Sequence, residues 1–269
     1  MAAGWAAALF ALFIWWFSTG VILCVVKFSD REGRGAHVRS VLLGLPVLLV
    51  GLWGFDVTMG DASVIGVYLA FLSALAIWGW VELAFLAGVI TGPAPIPAAR
   101  NVPEWERFLR AWGTIAYHEM LLIALLLGLW FWSDGVANPF GFYTFAVLFF
   151  ARISAKLNLF YGVPKINVDF LPDPLRHLSS HFRIARLNWV FPVSVSVLTF
   201  AAACWVERLI GAGPAETVGF ALLAALTALA ALEHWLMVLP LPDDKLWRWM
   251  LPAPKAQQKP RISEETHGL

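Results

Sequence analysis

The sequence predicts an all-α, polytopic membrane bundle of about seven transmembrane helices, with the N-terminus outside and the C-terminus in the cytoplasm. Three observations carry this. The 269 residues are 60% hydrophobic and only 14% charged, which excludes a soluble monomer. The apolar residues run in blocks of about 20, the length that crosses roughly 30 Å of hydrocarbon. The basic residues are sorted into alternate loops.

The apolar spans follow one another at 5–28, 39–57, 64–90, 112–132, 139–160, 189–209 and 217–239. The first has no basic segment after Met1, carries Trp15, Trp16 and Phe17 in its middle, and offers no small-residue cleavage site at 24–28, so it is expected to be retained. Of the 19 Lys and Arg residues, all but Arg208 lie in or beside the loops after spans one, three and five, or in the tail. The loops after spans two and four carry Asp56, Asp61 and Asp134 instead. The positive-inside bias sets the orientation from this asymmetry. Cys24 and Cys204 then fall at different depths, and no disulfide is expected.

The domain organisation is a membrane domain over 1–250, with cytoplasmic loops at 92–112 and 161–188, and a proline-rich polar tail at 251–269 that is expected to be disordered. In the first loop, Gly92-Pro-Ala-Pro-Ile-Pro97 ends span three. A helix starts near Pro103, with Glu104 and Glu106 early and Arg107 and Arg110 late. Trp105, Phe108, Leu109 and Trp112 recur at helical steps and place it at the membrane interface. In the second loop, 165–170 alternates polar and apolar residues like a strand or extended strip. Asp173-Pro174 then starts a helix with Leu175, Leu178 and Phe182 on one side and Arg176, Arg183 and Arg186 largely elsewhere, suited to an anionic leaflet. His177 and His181, four apart, read first as an exposed docking face and second as a joint metal site. Asp169, Arg176, His177, His181 and Arg183 are the candidate partner-binding residues.

Ionisable groups lie inside the spans: Glu82 in three, His118 and Glu119 in four, Arg152 and Lys156 in five, Glu233 and His234 in seven. A charge at mid-bilayer costs about 2.5–3.5 kcal/mol, so such groups turn inward and pair. At 1.5 Å per residue, Glu82 and Arg152 sit about 12 Å, and His118 and Glu233 about 9 Å, from the cytoplasmic helix ends. This shared layer reads either as self-neutralising ion pairs with each histidine bonded to a carboxylate, or as a ligand site. In the second reading, His118 or His234 offers an imidazole to the metal of a haem or of a bacteriochlorophyll-type pigment, with the carboxylates behind. Glu82, His118, Glu119, Arg152, Glu233 and His234 are therefore the candidate cofactor-binding residues. Trp15, Trp16, Trp78 and Trp80 lie deep enough to pack the core or to line a site for a flat ring.

No nucleophile elbow, phosphate loop or zinc motif is present, so no catalytic residue is assigned. A net charge of +1 without Lys/Arg-rich runs argues against nucleic acid as a partner. The spans show no internal repeat, which counts against a two-halved transporter.

Two stretches, Pro103-Glu-Trp-Glu-Arg-Phe-Leu-Arg-Ala-Trp-Gly-Thr-Ile-Ala-Tyr-His-Glu119 and Asn158-Leu-Phe-Tyr-Gly-Val-Pro-Lys-Ile-Asn-Val-Asp-Phe-Leu-Pro-Asp-Pro-Leu-Arg-His-Leu-Ser-Ser-His-Phe-Arg183, resemble the photosynthetic complex assembly protein 2 family of phototrophic bacteria, encoded near the reaction-centre H subunit. The resemblance implies a multi-pass protein of the bacterial inner (cytoplasmic or intracytoplasmic) membrane. Its expected role is assembly of the reaction centre and light-harvesting complex, or pigment supply to them. Its expected partners are photosynthetic complex subunits or bacteriochlorophyll synthesis enzymes. The alternative is a redox or accessory subunit of bacteriochlorophyll synthesis that binds haem, metal or quinone in the Glu/His layer.

Overall fold

The structure, a computed structural model, describes residues 2–99, 101–168 and 171–240. Among these residues eight α-helices follow in order: α1 Ala2–Glu32, α2 Arg34–Thr58, α3 Val64–Leu86, α4 Glu104–Gly113, α5 Ala116–Trp132, α6 Phe140–Tyr161, α7 Val190–Glu207 and α8 Pro214–Leu236, with a 3-10 helix at Asp173–His181. Six are long and apolar enough to cross a membrane; α4 and α5, meeting at 74°, make a seventh if they form one broken span. The chain is thus a helical membrane bundle, as the composition and block lengths predict, and no strand forms among the described residues. The expected tail 251–269 lies outside the described residues, as does Asp169.

Burial ranks the helices. In the most apolar stretch of α3, 56% of residues are inside the protein, and in α8 50%, against 17% in α1 and 22% in α2 and α7. The first two are therefore central, and the others turn most of their surface to lipid. Phe71, Ala74, Leu75 and Trp78 of α3 pack with Phe145 of α6 and Leu222, Leu223 and Leu226 of α8 in one continuous core. Gly219 makes the α6–α8 approach close: a Cβ there would lie 2.2 Å from the Phe140 ring. Outside the core, Asn138 Nδ2 donates to the carbonyls of Thr58 and Asp61 and ties two connecting loops together.

Two sequence expectations are corrected, and a third is narrowed. Span three stops at Leu86, before its predicted end at 90, and span four begins its straight part only at Ala116. At 17 residues α5 is about 25 Å long, short of the hydrocarbon thickness. Gly88 ends span three: at φ +69° its N–H donates to the Phe85 carbonyl and Val89 N–H to the Ala84 carbonyl, a Schellman turn, and the proline strip beyond it folds back onto the α4–α5 elbow. Ala94 N–H donates to the Gly113 carbonyl at 3.1 Å, and the Thr91 carbonyl accepts from His118 N–H at 2.9 Å.

The described part of the strip, 165–168, forms no strand, which leaves the extended alternative. Only an isolated parallel bridge joins Val163 and Ile184, and Lys165 N–H is spent on the Met237 carbonyl at 3.0 Å.

The helix after Asp173 is 3-10, not α, and does not lie with its apolar side on a leaflet. In a 3-10 helix residues three apart eclipse, so Leu175 and Leu178 point the same way. They pack, buried, against Phe85, Leu86 and Ile115 at the end of the bundle. The segment is a lid on its own protein. His177 and His181, four apart, do not share one face of such a helix.

Candidate functional site

Under the lid, residues of α1, α3, α4, α5, α6 and α8 line a half-open cavity of 710 Å³. Small-molecule sites typically measure about 300–1,000 Å³. The walls are mainly apolar, with Trp15, Trp78, Phe85, Phe108, Trp112 and Phe182 among them, and the 165–167 and 171–182 segments form the roof. Trp15 and Trp78 thus line a site, whereas the Trp80 indole is occupied by the Val41 carbonyl at 3.1 Å.

Into this apolar space α3, α5, α6 and α8 bring one polar layer. Glu82 accepts from Arg152 Nη2 at 3.0 Å. Lys156 Nζ donates to Glu119 and sits over the Phe85 ring. Glu233, on α8, accepts from the Trp15 indole N–H at 3.0 Å. Glu82, Glu119, Arg152, Lys156 and Glu233 all line the cavity. Local sequence explains two placements. Glu119 falls in the first turn of α5, whose helix dipole favours a carboxylate. Arg152 and Lys156 are four apart on α6, so one face of that helix presents both cations.

The histidines do not follow the sequence reading. His234 is buried against α6: its Nε2 meets Ser154 Oγ at 2.9 Å and its Nδ1 meets the Ala230 carbonyl at 2.8 Å, so both nitrogens are occupied and it does not line the cavity. A carbonyl can only accept, so Nδ1 carries the proton and the ring joins two helices. His118, 0% exposed, stacks on Phe85 at 4.2 Å between ring centres. Its Nε2 lies 3.9 Å from Glu82 Oε1, too far for a hydrogen bond, and both of its ring nitrogens are buried without a partner. It stands behind Glu82 and not on the cavity wall. Neither imidazole is placed to ligate a pigment metal in the cavity, and no group of three His, Cys, Asp or Glu among the described residues could hold a metal ion. Among the described residues the histidine that lines the cavity is His181, whose Nε2 meets the Ile96 carbonyl at 3.0 Å.

The other candidate docking residues bind the protein itself. Arg176 pairs with Asp173 at 2.7 Å and Arg183 with Glu104 at 3.2 Å, the latter joining the lid to α4. His177 is held below its ordinary pKa by burial and by neighbouring His181, against a hydrogen bond to the Pro174 carbonyl.

A latch on α1 was not legible. Asp30 accepts from lid residue Asp173 N–H at 3.2 Å and contacts His37 Nε2 at 3.1 Å, while Lys27 donates to the Leu171 carbonyl at 3.4 Å. Lys27 and Asp30 are separated by more than 140 residues from their lid partners, and they read in sequence only as charges at a helix end. Gly88 completes the seat. Its φ is +69°, and a Cβ there would lie 2.4 Å from Pro174.

No solved structure matches the chain. A protein of Rhodobacter capsulatus, described as an uncharacterized 30.4 kDa protein in the puhA 5′ region, is 54% identical over 255 residues, which cover 93% of this chain and 91% of that one. A family model described as a protein of unknown function (DUF3623) matches residues 1–258. That description names no assembly role, so the resemblance read from the two stretches is narrower than what the match itself carries. The match includes every cavity-lining helix, the lid and the latch, and the chain belongs to the DUF3623 family.

Proposed function

We propose that this protein is an inner-membrane factor for assembly of the photosynthetic reaction centre and light-harvesting complex, and that it holds a hydrophobic pigment or pigment precursor in the cavity beneath its lid. The observation that carries the reading is the cavity itself: 710 Å³ inside the bundle, aromatic on its walls and polar in one layer. Assembly of pigment proteins requires an insoluble ring system to be kept from water, and a half-open, mainly apolar cavity roofed by the 171–182 segment supports such a role. The relative's position in the puhA 5′ region supports the photosynthetic setting, in agreement with the resemblance of 103–119 and 158–183.

The lid is the proposed docking element for a complex subunit or a bacteriochlorophyll synthesis enzyme. Arg176 and Arg183 remain 76% and 55% exposed beside their acidic partners. Exposed pairs are worth about 0–1 kcal/mol, so they can be exchanged for contacts with a partner at little cost to the fold. The test is affinity purification from phototrophic membranes of the unaltered protein and of the Arg176→Ser, Arg183→Ser variant. The expected result is co-purification of photosynthetic subunits or pigment enzymes with the first and their loss from the second, at equal amounts of inserted protein. Retained partners, with poor accumulation of the variant, would make the lid purely intramolecular. The alternative, a haem- or metal-binding accessory subunit, has less support, because His118 and His234 do not line the cavity.

A further inference from the structure

The polar layer holds more hydrogen-bond donors than it uses. Among the described residues Arg152 makes one hydrogen bond, Nη2 to Glu82 at 3.0 Å. Its Nε is buried without a partner, and the side chain, lining the cavity, keeps 35% of its surface accessible. A guanidinium carries five N–H donors in a fixed fork, so most of this one's remain unspent. Glu82 neutralises the group from behind, and the indoles of Trp15 and Trp78 put flat aromatic surface on the cavity wall.

Charge decides what such donors can take. Arg152 is matched by Glu82 and Lys156 by Glu119. Lys165, at the roof, has a partner of its own. Glu233 shares the cavity and, among the described residues, accepts a hydrogen bond from the Trp15 indole. A ligand carboxylate would add a negative charge to a layer that already holds three carboxylates, inside hydrocarbon where an unmatched charge is expensive. A keto oxygen accepts from the same fork and adds no charge.

We infer that the cavity takes a flat, uncharged, apolar ring system bearing keto oxygens, of the quinone class or a keto-substituted pigment ring, and that Arg152 donates the hydrogen bond that orients it. The inference rests on the reading of the cavity as a ligand chamber and names the chemistry that chamber selects.

The experiment is calorimetric titration of the purified full chain in lipid nanodiscs with three probes: decylbenzoquinone, decylbenzene and decanoate. The unaltered protein should bind the quinone saturably and both comparators at least about tenfold more weakly, the scale of one well-made hydrogen bond. Arg152→Lys keeps a cation opposite Glu82 but removes the fork. Glu82→Gln with Arg152→Met removes both charges together and leaves neither unpaired. Each should weaken quinone binding about tenfold while the thermal transition and oligomer profile show a folded protein. Unchanged quinone affinity in both variants, or decanoate binding as tightly as the quinone, would overturn the inference. Equal uptake of all three probes would overturn it too while leaving the chamber reading intact. Uptake of none would sink both.

Discussion

Glu82 on α3 and Arg152 on α6 meet at 3.0 Å inside an otherwise apolar bundle, and the fully buried ring of His118 stands 3.9 Å behind Glu82. The pair joins two helices and keeps both charges viable in hydrocarbon. Glu82→Gln alone should therefore be worse than removing both groups. Losing one member of a buried pair costs about 3–5 kcal/mol, and Arg152's 35% exposure puts the expected loss at the lower end. Thermal unfolding in detergent should show a clear drop for Glu82→Gln and recovery of most of it in the Glu82→Gln, Arg152→Met double variant. Equal transitions in the single and double variants would mean the pair is not coupled.

The lid seat depends on Gly88. Alanine there would meet Pro174 and would hold a strained φ of +69°. Gly88→Ala should raise hydrogen exchange of the backbone over 171–182 several-fold while the exchange of α3 and α8 core amides stays as it was. Unchanged lid exchange would show that the strap is not seated on this glycine.

A pH effect should follow from His177. Its imidazole is more acidic in the folded lid than when free, chiefly through burial, so the unfolded lid binds the proton more readily. The lid's stability is then fully present above about pH 6.5, the free imidazole value, and falls as pH drops below it. Lid exchange, corrected for intrinsic rates, should rise between about pH 7.5 and 5.5, and His177→Gln should flatten the profile. An identical rise in His177→Gln would assign the effect to another group.

Membrane orientation follows from charge. Reporter fusions after Leu269 should read cytoplasmic, and fusions near Gly60 or Gly135 should read periplasmic. A periplasmic C-terminus would invert the arrangement and place the lid on the other face.

The sequence conveyed the bundle well, because span length is a property of contiguous residues. It also placed Glu82, His118, Arg152 and Glu233 at similar depths, since rise per residue is constant within a helix. It failed where geometry depends on rotation and on distant chain. His234 lies at the right depth but turns toward Ser154 on α6. The span-three and span-four lengths were overcounted because apolar content continues past Leu86 and before Ala116 while the backbone there does not stay helical. The lid's apolar residues were recognised, but amphipathicity alone does not say whether the covered surface is a leaflet or the protein's own Phe85, Leu86 and Ile115. The Asp30–Asp173 contact spans 143 residues and leaves no local pattern.

The most direct measurement is native mass spectrometry of the protein purified in mild detergent from a phototrophic bacterium, beside an Ala151→Phe variant that places a ring in the cavity it lines. The unaltered protein should carry a stoichiometric hydrophobic ligand with visible absorption, the variant should carry the bare chain mass, and cells dependent on the variant should accumulate less reaction-centre and light-harvesting complex. A bare chain mass for the unaltered protein, with pigment–protein complexes undiminished in cells that rely on Ala151→Phe, would contradict the proposed role of the cavity.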